Sequence, residues 1–224
     1  MQQEIPKTEI ELRRQLYFPT LVFFADLPGA GALNEAMKPH IYAWRDEDPD
    51  GMDRSNVKRV GSWHSLDDMH QRAPYAKLVE AILATTRAVF GELGYDPDFS
   101  PQIDNMWANI NPRYGYNRSH THGNVLWSGV YYVQTPQNCG RIRFMDPREQ
   151  AKVLLPRFAK GARKPECWSE VYYEAVAGRL ILFPAWLAHD VEPNLAEADG
   201  PAGDRISVSF NVQQRRAARQ SPQG

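Results

Sequence analysis

Beyond Tyr95 the chain changes texture, and that change limits its fold more than any other feature. Segments at about 125–133, 140–144, 171–176, 180–183 and 206–212 are short and rich in β-branched or aromatic residues. Gly, Pro and Asn punctuate them at strand-like spacing. Before Tyr95 the pattern is helical. Leu78, Ile82, Leu83, Val89, Phe90 and Leu93 share one face of a helix over about 74–93, and Gly94 suits a left-handed stop. A second helix is expected over about 32–44, followed by turn chemistry in Asp48-Pro49-Asp50-Gly51. The stretch 16–24 reads as a strand that Pro19 confines to an edge or a bulge. Ser65-Leu-Asp-Asp resembles a capping box that opens a helix. Helices first and strands afterwards give an α+β class, mainly β, with a helical buttress on one face of a β-sandwich or small barrel.

A chain of 224 residues is long enough for one well-buried core, so 1–224 is read as a single domain. Its N-terminal strand and helices span about 15–100, the β core about 101–213 and a tail about 214–224. Residues 1–14 are polar and expected to be loosely held, and the tail with Arg215, Arg216 and Arg219 is read as a solvated end. A formal charge of −1 gives no reason to expect nucleic acid or an anionic membrane as partner. Neither a signal sequence nor an apolar run of spanning length is found. Cys139 and Cys167 are too few and too far apart for a disulfide framework, which points to a reducing, cytoplasmic setting.

The chemistry concentrates in three motifs. In His120-Thr121-His122 the two imidazoles sit at i and i+2, so in extended chain both face one side. His189 closes the apolar run that begins at Gly178 and passes through Pro184. A strand pairing beside the first can bring it to the same point. Imidazole suits iron, zinc, copper and nickel, and three ligands with open positions describe a catalytic metal centre. The third motif is Arg205-Ile-Ser207, where Arg205 and Ser207 share a strand face while Ile206 and Val208 take the other. The plain alternatives are surface histidines for the pair, a core histidine for His189 and a structural salt bridge for Arg205.

In this order the motifs resemble the double-stranded β-helix (jelly-roll, cupin-like) of the iron(II)- and 2-oxoglutarate-dependent oxygenases. In that family a distal histidine ends one strand, an arginine further on binds the far carboxylate of 2-oxoglutarate, and a serine or threonine two residues later assists. His189, Arg205 and Ser207 match those roles. A narrower likeness covers most of the chain. Ser55-Asn56, Gly61-Ser-Trp-His-Ser65, Trp107-Ala-Asn109, Ser128-Gly-Val-Tyr-Tyr132 and Asp146-Pro-Arg148 are similar to a family of such oxygenases with mainly bacterial and phage members. The resemblance implies iron(II) and 2-oxoglutarate as cofactor and cosubstrate, O2 as co-reactant, and a small-molecule, amino-acid or peptide substrate to be hydroxylated. Asn109 and Tyr131 are taken as further cosubstrate contacts, although only one of Tyr131 and Tyr132 can face inward in a regular strand. His64, Trp107, Asn124 and Trp186 are candidates for the pocket, with a helix cap as the other reading of His64. Asp146 is expected to pair with an arginine.

One departure is plain: the superfamily pattern at the first site is His-x-Asp or His-x-Glu, and here it is His-x-His. Either His120, His122 and His189 all ligate, or one of the pair ligates while the other supports it, or the register is His122–Asn124. His-x-His and the Gly178-to-His189 arrangement are shared with cupins, which usually add a Glu shortly after the second His; Leu126 and Trp127 occupy those positions. The alternatives are therefore a cupin-type metalloenzyme that does not use 2-oxoglutarate, and a non-catalytic β-sandwich binding module. Arg205-x-Ser207 favours the oxygenase.

Overall fold

The computed structural model describes residues 12–55 and 57–216. In chain order its main elements are β1 (Phe23–Asp26), α1 (Ala30–Glu47), α2 (Gly51–Arg54), β2 (Trp63–His64), α3 (Ala76–Glu92) and β3 (Phe99–Asn111). Then come β4 (Asn117–His120), β5 (Trp127–Gln134), β6 (Ile142–Met145), β7 (Glu170–Tyr173), β8 (Arg179–Pro184), β9 (His189–Val191) and β10 (Arg205–Arg216). The strands form a six-stranded sheet in the order β1-β8-β5-β10-β3-β2 and a four-stranded sheet in the order β4-β9-β6-β7. Every strand pairing in them is antiparallel. From β3 onward the chain passes repeatedly between the two sheets, which makes a double-stranded β-helix.

The central strand β10 shows how the sequence sorts itself between the layers. Ile206, Val208, Phe210 and Val212 join the larger apolar core with Met37, Ile41 and Trp44 of α1 and Leu78, Ile82 and Phe90 of α3. The intervening Arg205, Ser207, Ser209 and Asn211 point the other way, toward the small sheet. A second apolar cluster, including Val130, Tyr132, Ile142, Phe144 and Phe183, lies between the sheets. The α+β, mainly β reading with helices buttressing one sheet is therefore the observed fold.

Helix α3 ends as its sequence suggests. Gly94 has φ 69°, a left-handed conformation that glycine adopts without strain. The Tyr95 amide donates to the Phe90 carbonyl at 3.0 Å, and the two rings pack with centroids 4.7 Å apart, as in a Schellman motif.

Four expectations need correction. Within the 16–24 stretch only Phe23 and Phe24 are in a strand, β1, because Phe18 takes a left-handed φ of 58° and Pro19 has no amide to donate. Ser65 caps no helix: its Oγ accepts from the Ala108 amide at 2.9 Å, and its own amide donates to the Ala108 carbonyl. The tail begins later than expected, since β10 runs on to Arg216 against Phe99. The thirteen-residue strand β3 had no place in the strand list, because its inward positions carry Asn105, Asn109 and Asn111 rather than β-formers. The rest of the expectation about the ends concerns residues 1–11 and 217–224, which lie outside the described residues, as does Asn56.

Among the described residues no helix is long and apolar enough to cross a membrane. Cys139 and Cys167 are both free.

Candidate metal centre

His120 closes β4 and His189 opens β9, and the two are register partners in the small sheet. His122 follows just past the strand end, its amide held by the Ala185 carbonyl at 2.9 Å. Ring centroids are 4.3 Å apart for His120 and His189, 5.0 Å for His120 and His122, and 5.2 Å for His122 and His189. One nitrogen from each of the three lies within 4.8 Å of the others. The geometry thus brings together all three histidines singled out in the sequence.

The hydrogen bonds select the free nitrogen. His120 Nδ1 lies 2.7 Å from the Arg118 carbonyl, and His189 Nδ1 lies 2.9 Å from the Leu187 carbonyl. A carbonyl only accepts, so each Nδ1 carries the hydrogen and each Nε2 keeps its lone pair for a metal. The His122 ring has no hydrogen-bond partner among the described residues. Burial, with His120 alongside, pushes His189 down to about 3 and His122 down to about 4. Both rings are therefore neutral at physiological pH, the state that ligates. Three convergent imidazoles fit a divalent transition metal, with no carboxylate in the set.

Arg205 borders the same cavity and is only 1% exposed. It donates to the backbone carbonyls of Cys139, Glu192 (3.0 Å) and Gly115 (3.4 Å), and among the described residues no carboxylate pairs with it. The Glu192 side chain is engaged elsewhere, by Arg141 at 2.8 Å. Among the described residues the structural salt bridge is thus absent, and a buried cation stands beside a hollow. Burial lowers the Arg205 pKa, which expresses the cost of holding that charge without a counter-ion.

The cavity has a volume of about 80 Å³ and is lined by the three histidines, Arg205, Ser207 and Asn109 among others. His64 and Trp107 form part of its wall, with rings stacked at 5.3 Å and 13°. Asn109 also donates to Ser209 at 3.2 Å. A larger hollow of about 480 Å³ lies elsewhere, between residues 16–22 and the β6–β7 region, and touches none of these histidines.

Three sequence candidates fall outside this cavity. Tyr131 faces the helices, where its hydroxyl donates to Asn34 Oδ1 of α1 at 2.6 Å. Its neighbour Tyr132 is the tyrosine that lines the cavity, and burial pushes its phenol well above the usual range. Strand parity held that signal: Trp127, Tyr131 and Val133 form one large apolar set against the helices. Asn124 adopts a left-handed turn at φ 61°, with its carbonyl accepting from Gln213. Trp186 is 55% exposed on the turn after β8. Asp146 pairs with Arg148 at 2.9 Å, as expected.

The two sheets wrap as a double-stranded β-helix, and the histidine cluster lies between them. Residues 105–211 match the model of a family described as "Putative 2OG-Fe(II) oxygenase". No curated protein matches the chain. Among solved structures, a prolyl-4-hydroxylase from Pseudomonas putida is similar at 17% identity and a TM-score of 0.56, over 88% of this chain and 94% of that one. HygX from Streptomyces hygroscopicus, with nickel and 2-oxoglutarate bound, is similar at 14% identity and a TM-score of 0.55, over 87% and 82% of the two chains. A prolyl hydroxylase from Trichoplax adhaerens, in complex with a hypoxia inducible factor peptide fragment, gives 14% and 0.55, over 86% and 83%. These likenesses show the fold.

Proposed function

We propose that this protein is an iron(II)- and 2-oxoglutarate-dependent dioxygenase that hydroxylates a small molecule, amino acid or peptide, with the metal held by His120, His122 and His189. The observation that carries the reading is Arg205. A buried guanidinium without a carboxylate partner shares a cavity with three convergent imidazoles. A dicarboxylate fills that need, because a carboxylate can take a fork-like pair of charge-assisted hydrogen bonds from it. Ser207, Asn109 and Tyr132 add polar groups along the same wall.

Each residue then has a physical task. Arg205 anchors the far carboxylate, and Ser207, two positions along β10, supports it. His120 and His189, each fixed by a backbone carbonyl, present Nε2 in one orientation. His122 completes the set. Iron(II), held by His120, His122 and His189, would supply the redox chemistry that couples oxidative decarboxylation of 2-oxoglutarate to hydroxylation. Three neutral ligands leave the full divalent charge uncompensated by protein, and the dianionic cosubstrate offsets it.

The neutral donor set also suits a cupin-type enzyme that does not use 2-oxoglutarate, and Arg205 decides between the two. The test is thermal denaturation with zinc(II), with and without 2-oxoglutarate, alongside 2-oxoglutarate consumption with iron(II) and ascorbate. A ligand-dependent rise in Tm with turnover supports the oxygenase. Metal binding with neither effect overturns it.

We infer a single domain, since among the described residues the larger apolar core joins α1 and α3 to β3, β5, β8 and β10. We assign it to the cytoplasm on its two unpaired cysteines, one of them exposed.

A further inference from the structure

The polar wall of the cavity extends beyond the residues that the reaction uses. His64 is the register partner of Asn109, Asn109 of Ser207, and Ser207 of Tyr132. Four strands of the large sheet therefore place these side chains in one row, and all four residues line the same cavity. With strands about 4.8 Å apart, the row is roughly 15 Å long. Tyr132 and Ser207 occupy the end near Arg205, while His64 occupies the far end, on the edge strand β2.

Its local chemistry is tightly set. Trp63, one residue earlier, points into the helical core, where it meets Trp44 edge-on at 5.8 Å and donates to the Asp48 carbonyl at 2.8 Å. Alternation then turns His64 toward the cavity. Stacking on Trp107 fixes its ring plane, and Trp107 in turn lies 6.2 Å from the His122 ring. His64 Nδ1 is 2.6 Å from the Ser65 carbonyl, so Nδ1 carries the hydrogen and Nε2 is left as an acceptor. Burial lowers the pKa of the ring, which keeps it in that neutral form.

An acceptor at this place has few possible partners. His64 is not one of the three converging metal-ligand candidates. A carboxylate is itself acceptor-only, so the oxo acid gains nothing from Nε2. We propose that His64 is a specificity-determining residue that accepts a hydrogen bond from an O–H or N–H group of the substrate, holding it against Trp107 beside the metal centre. The substrate class is then a polar molecule with a hydroxyl or nitrogen donor close to the carbon that is oxidised. This rests on the oxygenase reading of the same cavity.

The test uses the full chain labelled with 15N at histidine and loaded with zinc(II) and 2-oxoglutarate. The probe is 2,2,2-trifluoroethanol, a strong O–H donor, set against its methyl ether, which has no donor. The His64 resonances are assigned by their loss in His64→Phe, which keeps a ring against Trp107. The expected result is an unprotonated Nε2 whose resonance moves saturably with the alcohol and not with the ether. His64→Phe weakens the alcohol about tenfold, the value of one hydrogen bond, while His64→Gln, with an amide oxygen, retains most of the affinity. A protonated Nε2, or equal responses to alcohol and ether, overturns the proposal. The same spectra separate the two ideas. If zinc shifts His120, His122 and His189 while His64 ignores the alcohol, only the His64 role fails. If zinc moves none of the three, the metal centre fails and the His64 role falls with it.

Discussion

His120 and His189 face each other across the β4–β9 ladder, and each donates its Nδ1 hydrogen to the carbonyl two residues before it in sequence. The two ladder partners thus arrive with the same tautomer and the same free nitrogen. His122, outside the ladder, has no such clamp.

That asymmetry separates the ligands. His189→Ala should weaken zinc(II) binding by on the order of 100-fold or more, at or beyond the upper end of the range typical for losing a supporting residue. His122→Asp adds a negative oxygen donor to the set and should shift preference toward manganese(II) over zinc(II) by about tenfold. Competition titrations with a chromogenic chelator read both. An unchanged preference in His122→Asp means that His122 is not a ligand.

Arg205 should matter to the cosubstrate more than to the fold. Arg205→Met should abolish the rise in Tm that 2-oxoglutarate gives to the zinc-loaded protein. Arg205→Lys keeps the charge but loses the fork, so affinity should fall at least roughly tenfold. Without ligand, Arg205→Met should cost less than the about 3–5 kcal/mol that breaking a paired buried charge costs, because no acid is left behind. Urea denaturation gives that number.

Tyr131 and Tyr132 should part company. Tyr131→Phe removes the hydrogen bond to Asn34 and should destabilise the protein by about 1–2 kcal/mol, leaving 2-oxoglutarate affinity unchanged. Tyr132→Phe should lower that affinity several-fold. The opposite assignment in a thermal-shift titration would return Tyr131 to the cosubstrate.

The metal-free protein should be sensitive to mild acid. His122 and His189 are held near 4 and 3 in the fold, against an unfolded value of 6.5. The unfolded chain therefore binds more protons between those limits, and stability falls as pH drops from about 6.5 toward 4. The slope of unfolding free energy against pH should approach two protons near pH 5. Replacing either histidine with Ala should reduce it by one.

Much of this was legible because alternation is a local signal. The run from Arg205 to Val212 carries polar and apolar residues in strict turn, so it reveals strand, face and role together. Gly94 likewise marks a helix end by its own backbone freedom. The failures came where the cavity reverses the usual bias. β3 lines a polar hollow with asparagines, so it lacks the composition of a strand. Tyr131 and Tyr132 are equal as residues and differ only in parity, which depends on which face the helices cover. For His64 the sequence leaves both a pocket and a helix-cap reading open, because a two-residue edge strand has too little sequence to announce itself.

Strand β10 lies at the centre of the large sheet, with β3 on one side and β5 on the other. One face of it is oil and the other lines the polar cavity. A single inserted residue ahead of Ser207 would exchange the two, turning Arg205 toward the helices and Ile206 toward the cavity. The strand therefore works like a reading frame: substitutions can retune individual letters, but length is not free to vary. Diversification of this scaffold is confined to the connections between strands, where additions leave the frame intact.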